Sequence, residues 1–203
     1  TIFYCFLSYK TPWSMLGFYH GWIFMAAVGS VQLIDALKLS HWRWPFFALF
    51  CLLVLHLGWQ SVQLNFVYDA DPSNPYVYGH TSKDIYRLVD AVKEITDVSP
   101  EGEETYIEVV CPGDDYWPLP WYFRAYPRVG YSNTFDMTVT PAPLIITMPE
   151  LEDQLLIKLY KIPPPGQRSM YIPHFSNGIQ LRHGVEMDLY VRKDVWDEWY
   201  RHR

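Results

Sequence analysis

The chain has 203 residues and a formal net charge of −6 at pH 7, a balance that argues against a nucleic-acid surface. Its three cysteines, Cys5, Cys51 and Cys111, have no short spacing and supply neither a disulfide framework nor a zinc site. A mean hydropathy near zero conceals two unlike parts: residues 1–65 hold four charged groups (Lys10, Asp35, Lys38 and Arg43), and the other 34 fall in the remaining 138 residues. A step that sharp reads as a change of solvent, from lipid to water.

The chain opens on Thr1 with an apolar run and no charged n-region, so it reads as the end of an earlier membrane helix, in a fragment of a longer protein, rather than as a signal peptide. Trp13–Leu37 is a long apolar run, and Trp44–Leu64 is a second with Pro45 in its first turn. Each has the ~20 helical residues that a hydrocarbon core requires. Trp13, Trp42, Trp44 and Trp59 sit toward the run ends, where an aromatic belt belongs. The intervening loop carries Lys38 and Arg43, and no Lys or Arg follows until Lys83. The positive-inside rule therefore makes that loop cytoplasmic, and puts the Ser8–Pro12 loop and everything from residue 66 outside.

Asp69–Pro75 is a turn-rich link. Thr81 or Ser82 caps a predicted helix to about Thr96, with Ile85, Leu88, Val89, Val92 and Ile95 at helical spacing. Thr105–Cys111 predicts a buried strand, Trp117–Arg124 a short helix, and Pro143–Met148 a second strand. Pro149 opens a helix to about Leu155, and Leu156–Ile162 and Asp188–Arg192 are expected as further strands. The resulting expectation is an α/β fold class: two transmembrane helices, plus the end of an earlier one, over residues 1–65, followed by a small extracytoplasmic α/β domain over residues 66–203.

Few residues carry chemistry. Lys10 is the only cation in the first 37 positions; it reads either as a phosphate ligand or as a snorkelling interfacial lysine. His20 and His56 lie inside the apolar runs and read as side chains bonded across helices. The segment Gly113–Arg124 directly follows a predicted strand, where α/β folds place ligands. Asp114, Asp115, Tyr116, Trp117, Trp121 and Arg124 can make a sugar or divalent-metal surface, or a rigid Pro/Trp plug that packs the domain on a membrane surface. No phosphate-cradling glycine loop, metal-ligand spacing or nucleophile elbow is present, and no cofactor is identified.

Three blocks carry a resemblance: YKTPW (Tyr9–Trp13), NPYVYGHTSKDI (from Asn74) and DDYWPLPWYFRAYPRVGY (to Tyr131), with weaker likeness at LRHGVEMDLYVRKDVW. They resemble the C-terminal region of prokaryotic polytopic proteins described as flippase-activity-associated, which are similar to dolichyl-phosphate-mannose mannosyltransferases and so to the GT-C glycosyltransferases. The resemblance implies a multi-pass enzyme of the cell membrane that takes a sugar from a polyprenyl-phosphate donor on the outer face. Its partners would be membrane lipid and that lipid-linked sugar, with no nucleic acid. It implies a catalytic acid in a first outer loop upstream, so residues 1–203 alone are expected to be inactive and no catalytic residue is assigned among them. Lys10-Thr11-Pro12 matches a Lys-x-Pro element that related lipid A sugar transferases place near the donor phosphate. The alternatives are a non-catalytic protein that assists assembly or translocation of a lipid-linked glycan, and a transporter, although no broken-helix pair or inverted repeat is visible.

Overall fold

The structure is a computed structural model that describes residues 6, 12–36, 40–71, 73–74, 76–77 and 79–203. Lys10 and Lys38 lie outside the described residues. The chain forms two compact units, Thr1–Tyr78 and Gly79–Arg203.

The first unit is helical. A 3₁₀ turn, Pro12–Met15, leads into α1, Leu16–Ala36. Helix α2 spans Ser40–Val62 and runs on through a π turn, Gln63–Val67. Pro45, the sixth residue of this helix, lies inside it and withholds one N–H from its hydrogen-bond ladder. Among the described residues one helix, Trp44–Val67, is long and apolar enough to cross a membrane, where the sequence led us to expect two. Helix α1 is interrupted by Gly17, Gly21, Gly29, Ser30, Gln32 and Asp35, which lower its apolarity. None of its residues is buried, and Trp22, Phe24, Met25 and Val31 stand exposed. The link that follows α2 stays with this unit: the Asn74 side chain donates to the carbonyls of Leu64 (3.1 Å) and Tyr68 (2.9 Å).

The second unit is α/β around a mixed six-stranded sheet. Its strands are β1 (Ile107–Val110), β2 (Val129–Ser132), β3 (Leu144–Thr147), β4 (Tyr171–Pro173), β5 (Ile179–Arg182) and β6 (Val185–Arg192). The order is β2-β1-β3-β6-β4, with β5 also paired to β6. Strand β1 runs parallel to both β2 and β3, whereas β6 is antiparallel to β3, β4 and β5. Every residue of β1 and β3 is buried, as parallel strands covered on both faces must be.

Helices supply that cover. Helix α3, Ile85–Val98, buries Ile85, Leu88, Ala91, Val92 and Ile95 along one stripe, and the Ser82 hydroxyl accepts the Asp84 N–H at its start. With α4 (Leu119–Tyr122) and α6 (Lys193–His202) it packs on Ile107, Val109, Leu144, Ile146, Leu189 and Val191. The opposite face, Val110 and Ile145, meets Leu151, Leu155 and Leu159. Those three come from a 3₁₀ turn (Pro149–Leu151), α5 (Glu152–Leu156) and a π turn (Ile157–Lys161). Each Leu or Ile so buried contributes roughly 1.5–3 kcal/mol.

The strand expected over Leu156–Ile162 is therefore helical. Its apolar residues suit either period, but Leu151, Leu155 and Leu159 recur every fourth position behind a helix-opening proline, and that stripe decides. Strands β2, β4 and β5 and helix α6 were not expected. Each strand is three or four residues long, too short for a period to show in the sequence.

Candidate functional site

Adjacent strands β1 and β3 send the chain to opposite faces of the sheet. After β1 it turns through Pro112–Asp114 to α4, and Leu119 of that helix and Phe123 just after it lie in one core; after β3 it turns through Pro149 to α5, whose Leu155 lies in the other. The crevice outside such a divergence is where open α/β sheets bind ligands. The six residues that the sequence singles out lie in the loop and short helix that follow β1, and just beyond them.

The loop after β1 depends on two successive left-handed residues, Gly113 (φ 69°) and Asp114 (φ 58°). Glycine adopts that conformation freely, and aspartate is among the few side chains that tolerate it. Asn133, immediately after β2, accepts the Asp114 N–H through Oδ1 at 3.0 Å. The Asp114 carboxylate is exposed and hydrogen-bonds the Tyr116 hydroxyl. Burial raises the Tyr116 phenol above its ordinary pKa, and the neighbouring Asp114 charge adds to the rise. The Tyr116 ring packs on Tyr131 with centroids 5.0 Å apart. Burial, with Tyr116 beside it, pushes the Tyr131 phenol up to about 12.

Asp115 is paired differently. Arg182, from the end of β5, donates through Nη2 to its carboxylate and through Nη1 to the Trp117 carbonyl at 3.0 Å. The two neighbouring carboxylates therefore differ in role: one is held by a guanidinium, and the other faces solvent. Beneath them Cys111 is fully buried, and burial first, then Asp115, pushes its thiol up to about 11. A thiol so protonated is no nucleophile at neutral pH.

The aromatic members stand outward. Trp117 is 57% exposed and Trp121 62%. The Arg124 guanidinium lies over the Trp121 ring at 4.4 Å and donates to the Trp121 carbonyl at 2.6 Å. Tyr122 meets Tyr86 of α3 edge-on at 6.0 Å. This edge thus joins an exposed carboxylate, an aromatic surface and a stacked cation. Such a set binds sugar hydroxyls and C–H faces, or an amphipathic surface layer.

Arg182 and Asn133 escaped the sequence reading. Arg182 follows Asp115 by 67 positions, and Asn133 follows a strand too short to detect, so neither left a local signal. Asp188 of β6, opposite Thr147, also went unnoticed; burial raises its carboxyl pKa, with Glu152 and Glu186 adding to the rise. No group of three or more His, Cys, Asp or Glu among the described residues is arranged to hold a metal ion. A cavity of about 540 Å³ lined by Tyr106, Arg128, Gly130, Thr140 and Arg192 opens at the other end of the parallel strands, away from these residues. No family model, no curated protein and no solved structure matches the chain.

Proposed function

We propose that the chain is part of a membrane glycosyltransferase of the GT-C type, which transfers a sugar from a polyprenyl-phosphate donor on the outer face of the cell membrane. In this reading both α1 and α2 span the bilayer, Gly79–Arg203 is extracytoplasmic, and Lys10 binds the donor phosphate. The observation that carries it is the segment after β1, in which an exposed Asp114 carboxylate is followed by the exposed Trp117 and Trp121 and by Arg124 stacked on Trp121, in a chain that also holds a membrane-length apolar helix. The three sequence blocks that resemble such enzymes support it, and two of them adjoin or contain this edge.

A second reading, a non-catalytic protein that helps assemble or move a lipid-linked glycan, draws on the pairing of Asp115 to Arg182 and the burial of Cys111. Both features leave the edge suited to binding more than to bond breaking. One comparison separates the two readings. The complete protein in liposomes is supplied with labelled polyprenyl-phosphate sugar, as wild type and as Lys10→Ala. The transferase reading expects turnover by the wild type and a loss on the order of 10²-fold in the variant, the usual effect of removing one charge-stabilising contact. Lys10→Arg should keep part of the activity, because charge survives while geometry changes. Donor binding without turnover would favour the second reading, and a Lys10→Ala protein with wild-type rate and affinity would return Lys10 to an interfacial anchor.

A further inference from the structure

The aromatic edge has a second property, visible from where the chain joins the second unit. Eleven residues, 68–78, separate the end of the helix Trp44–Val67 from Gly79, the first residue of that unit. A leash of that length spans at most ~40 Å when fully extended. Its first attachment is at the strand-end edge: Thr81 bridges Arg182, and the Ser82 N–H donates to the Leu181 carbonyl at 2.8 Å. Arg182 is the residue that holds Asp115 and the Trp117 carbonyl. Helix α3 starts three residues after Ser82, and its Tyr86, 56% exposed, touches Tyr122 beside Trp121. The point where the chain arrives and the exposed aromatic side chains therefore share one edge.

The second unit holds four tryptophans. Trp199 is buried and Trp196 is partly buried against the core, whereas Trp117 and Trp121 are both more than half exposed. Tryptophan is highly buried on average, so two on one edge mark a surface that another medium covers. Indole and phenol rings with a polar tip, accompanied by arginine, make the composition that settles at lipid headgroups. The Arg124 guanidinium is held flat on the Trp121 indole and spends one N–H on the Trp121 carbonyl, which leaves donors for a phosphate.

We propose that Tyr86, Trp117, Trp121 and Arg124 seat in the headgroup layer of the bilayer into which the helix Trp44–Val67 inserts. The seat turns the C-terminal ends of β1 and β3 toward the membrane surface, and leaves the exposed Asp114 carboxylate available to a lipid-linked substrate. It rests on the membrane reading of Trp44–Val67 and requires no sugar transfer.

The test uses the whole chain, labelled with 5-fluorotryptophan and reconstituted in phosphatidylcholine–phosphatidylglycerol liposomes that contain no glycolipid. Fluorine resonances of positions 117 and 121 are assigned by Trp117→Phe and Trp121→Phe, and a fraction of the lipid carries a paramagnetic headgroup. The expected result is broadening of both resonances several-fold beyond that of Trp199, which serves as the buried reference, with Trp44 reporting insertion of the helix. Broadening at Trp44 with positions 117 and 121 no broader than Trp199 would overturn the seat while leaving the membrane reading intact. Silence at all of them would overturn both. Neither result bears on turnover, so failure of the transferase reading is seen separately.

Discussion

At the scale of single residues, the strongest commitment of the second unit is a buried ion pair. Lys158 is 2% exposed, and its Nζ lies 2.6 Å from Oε1 of Glu108, on the central strand β1. The Phe135 ring lies 5.5 Å from the ammonium, and the other Glu108 oxygen has no hydrogen-bond partner. Burying two charges costs several kcal/mol each, and their attraction offsets this only while both are present. Lys158→Met should therefore destabilise the unit by about 3–5 kcal/mol, because a buried carboxylate is stranded. The double variant Glu108→Gln with Lys158→Met should recover most of that loss. Urea unfolding of the whole chain in detergent measures both, and a single variant as stable as wild type would show that water already reaches the pair.

At the scale of elements, helix α6 is held by a histidine among aromatic rings. The His174 ring lies 4.6 Å from Phe175, 5.4 Å from Trp196 and 5.0 Å from Trp199 by centroids, and its Nδ1 is buried without a partner. Glu94 of α3 bonds the Trp199 indole N–H, Arg87 of α3 lies over Phe175, and Arg203 lies over Trp199. Burial lowers the His174 pKa below its ordinary 6.5, Glu94 opposes the fall and Arg203 assists it. A pKa depressed by folding means that the unfolded chain binds the proton more readily, so the stabilisation is present above 6.5 and is lost as pH falls below it. The melting temperature of the whole chain should drop between pH 7 and pH 5.5, and His174→Phe should flatten that slope; equal slopes would exclude His174 as the cause. Nothing in the sequence revealed this cluster, because His174 and Phe175 directly follow β4 and Trp196 and Trp199 lie on α6, the one strand too short for a period and the helix amphipathic only once its partner is known. Helix α3 and strands β1 and β3 were legible for the opposite reason: α3 shows a full apolar stripe, and both strands are rich in Val and Ile, apolar but for Glu108 and Thr147. The candidate site divides the same way. Its loop from Gly113 to Arg124 stands out by composition, whereas Asn133 and Arg182, which fix that loop, are contributed by distant chain through pairing that no local pattern encodes.

At the scale of the whole molecule, the proposed topology places Lys38 and Arg43 in the cytoplasm and the α/β unit outside. A single cysteine introduced at position 100 should react with a membrane-impermeant thiol reagent in intact cells, and one at position 40 should not; the reverse pattern would invert the assignment. The α/β unit also joins distant parts of the chain. Helix α6 contributes Val195 and Trp199 to the core that α3 lines from Ile85 onward, and the Trp199 indole reaches Glu94 across 105 positions. Synthesis therefore delivers the first wall of this core long before the last. Helix α3 emerges with its apolar stripe uncovered, and the central strand β3 forms with its neighbour β6 still to come. Only when residue 199 has been made can the core close. Until then the growing domain presents the apolar stripe of α3 to whatever is nearest, so α6, the last helix of the chain, decides how long that surface stays open.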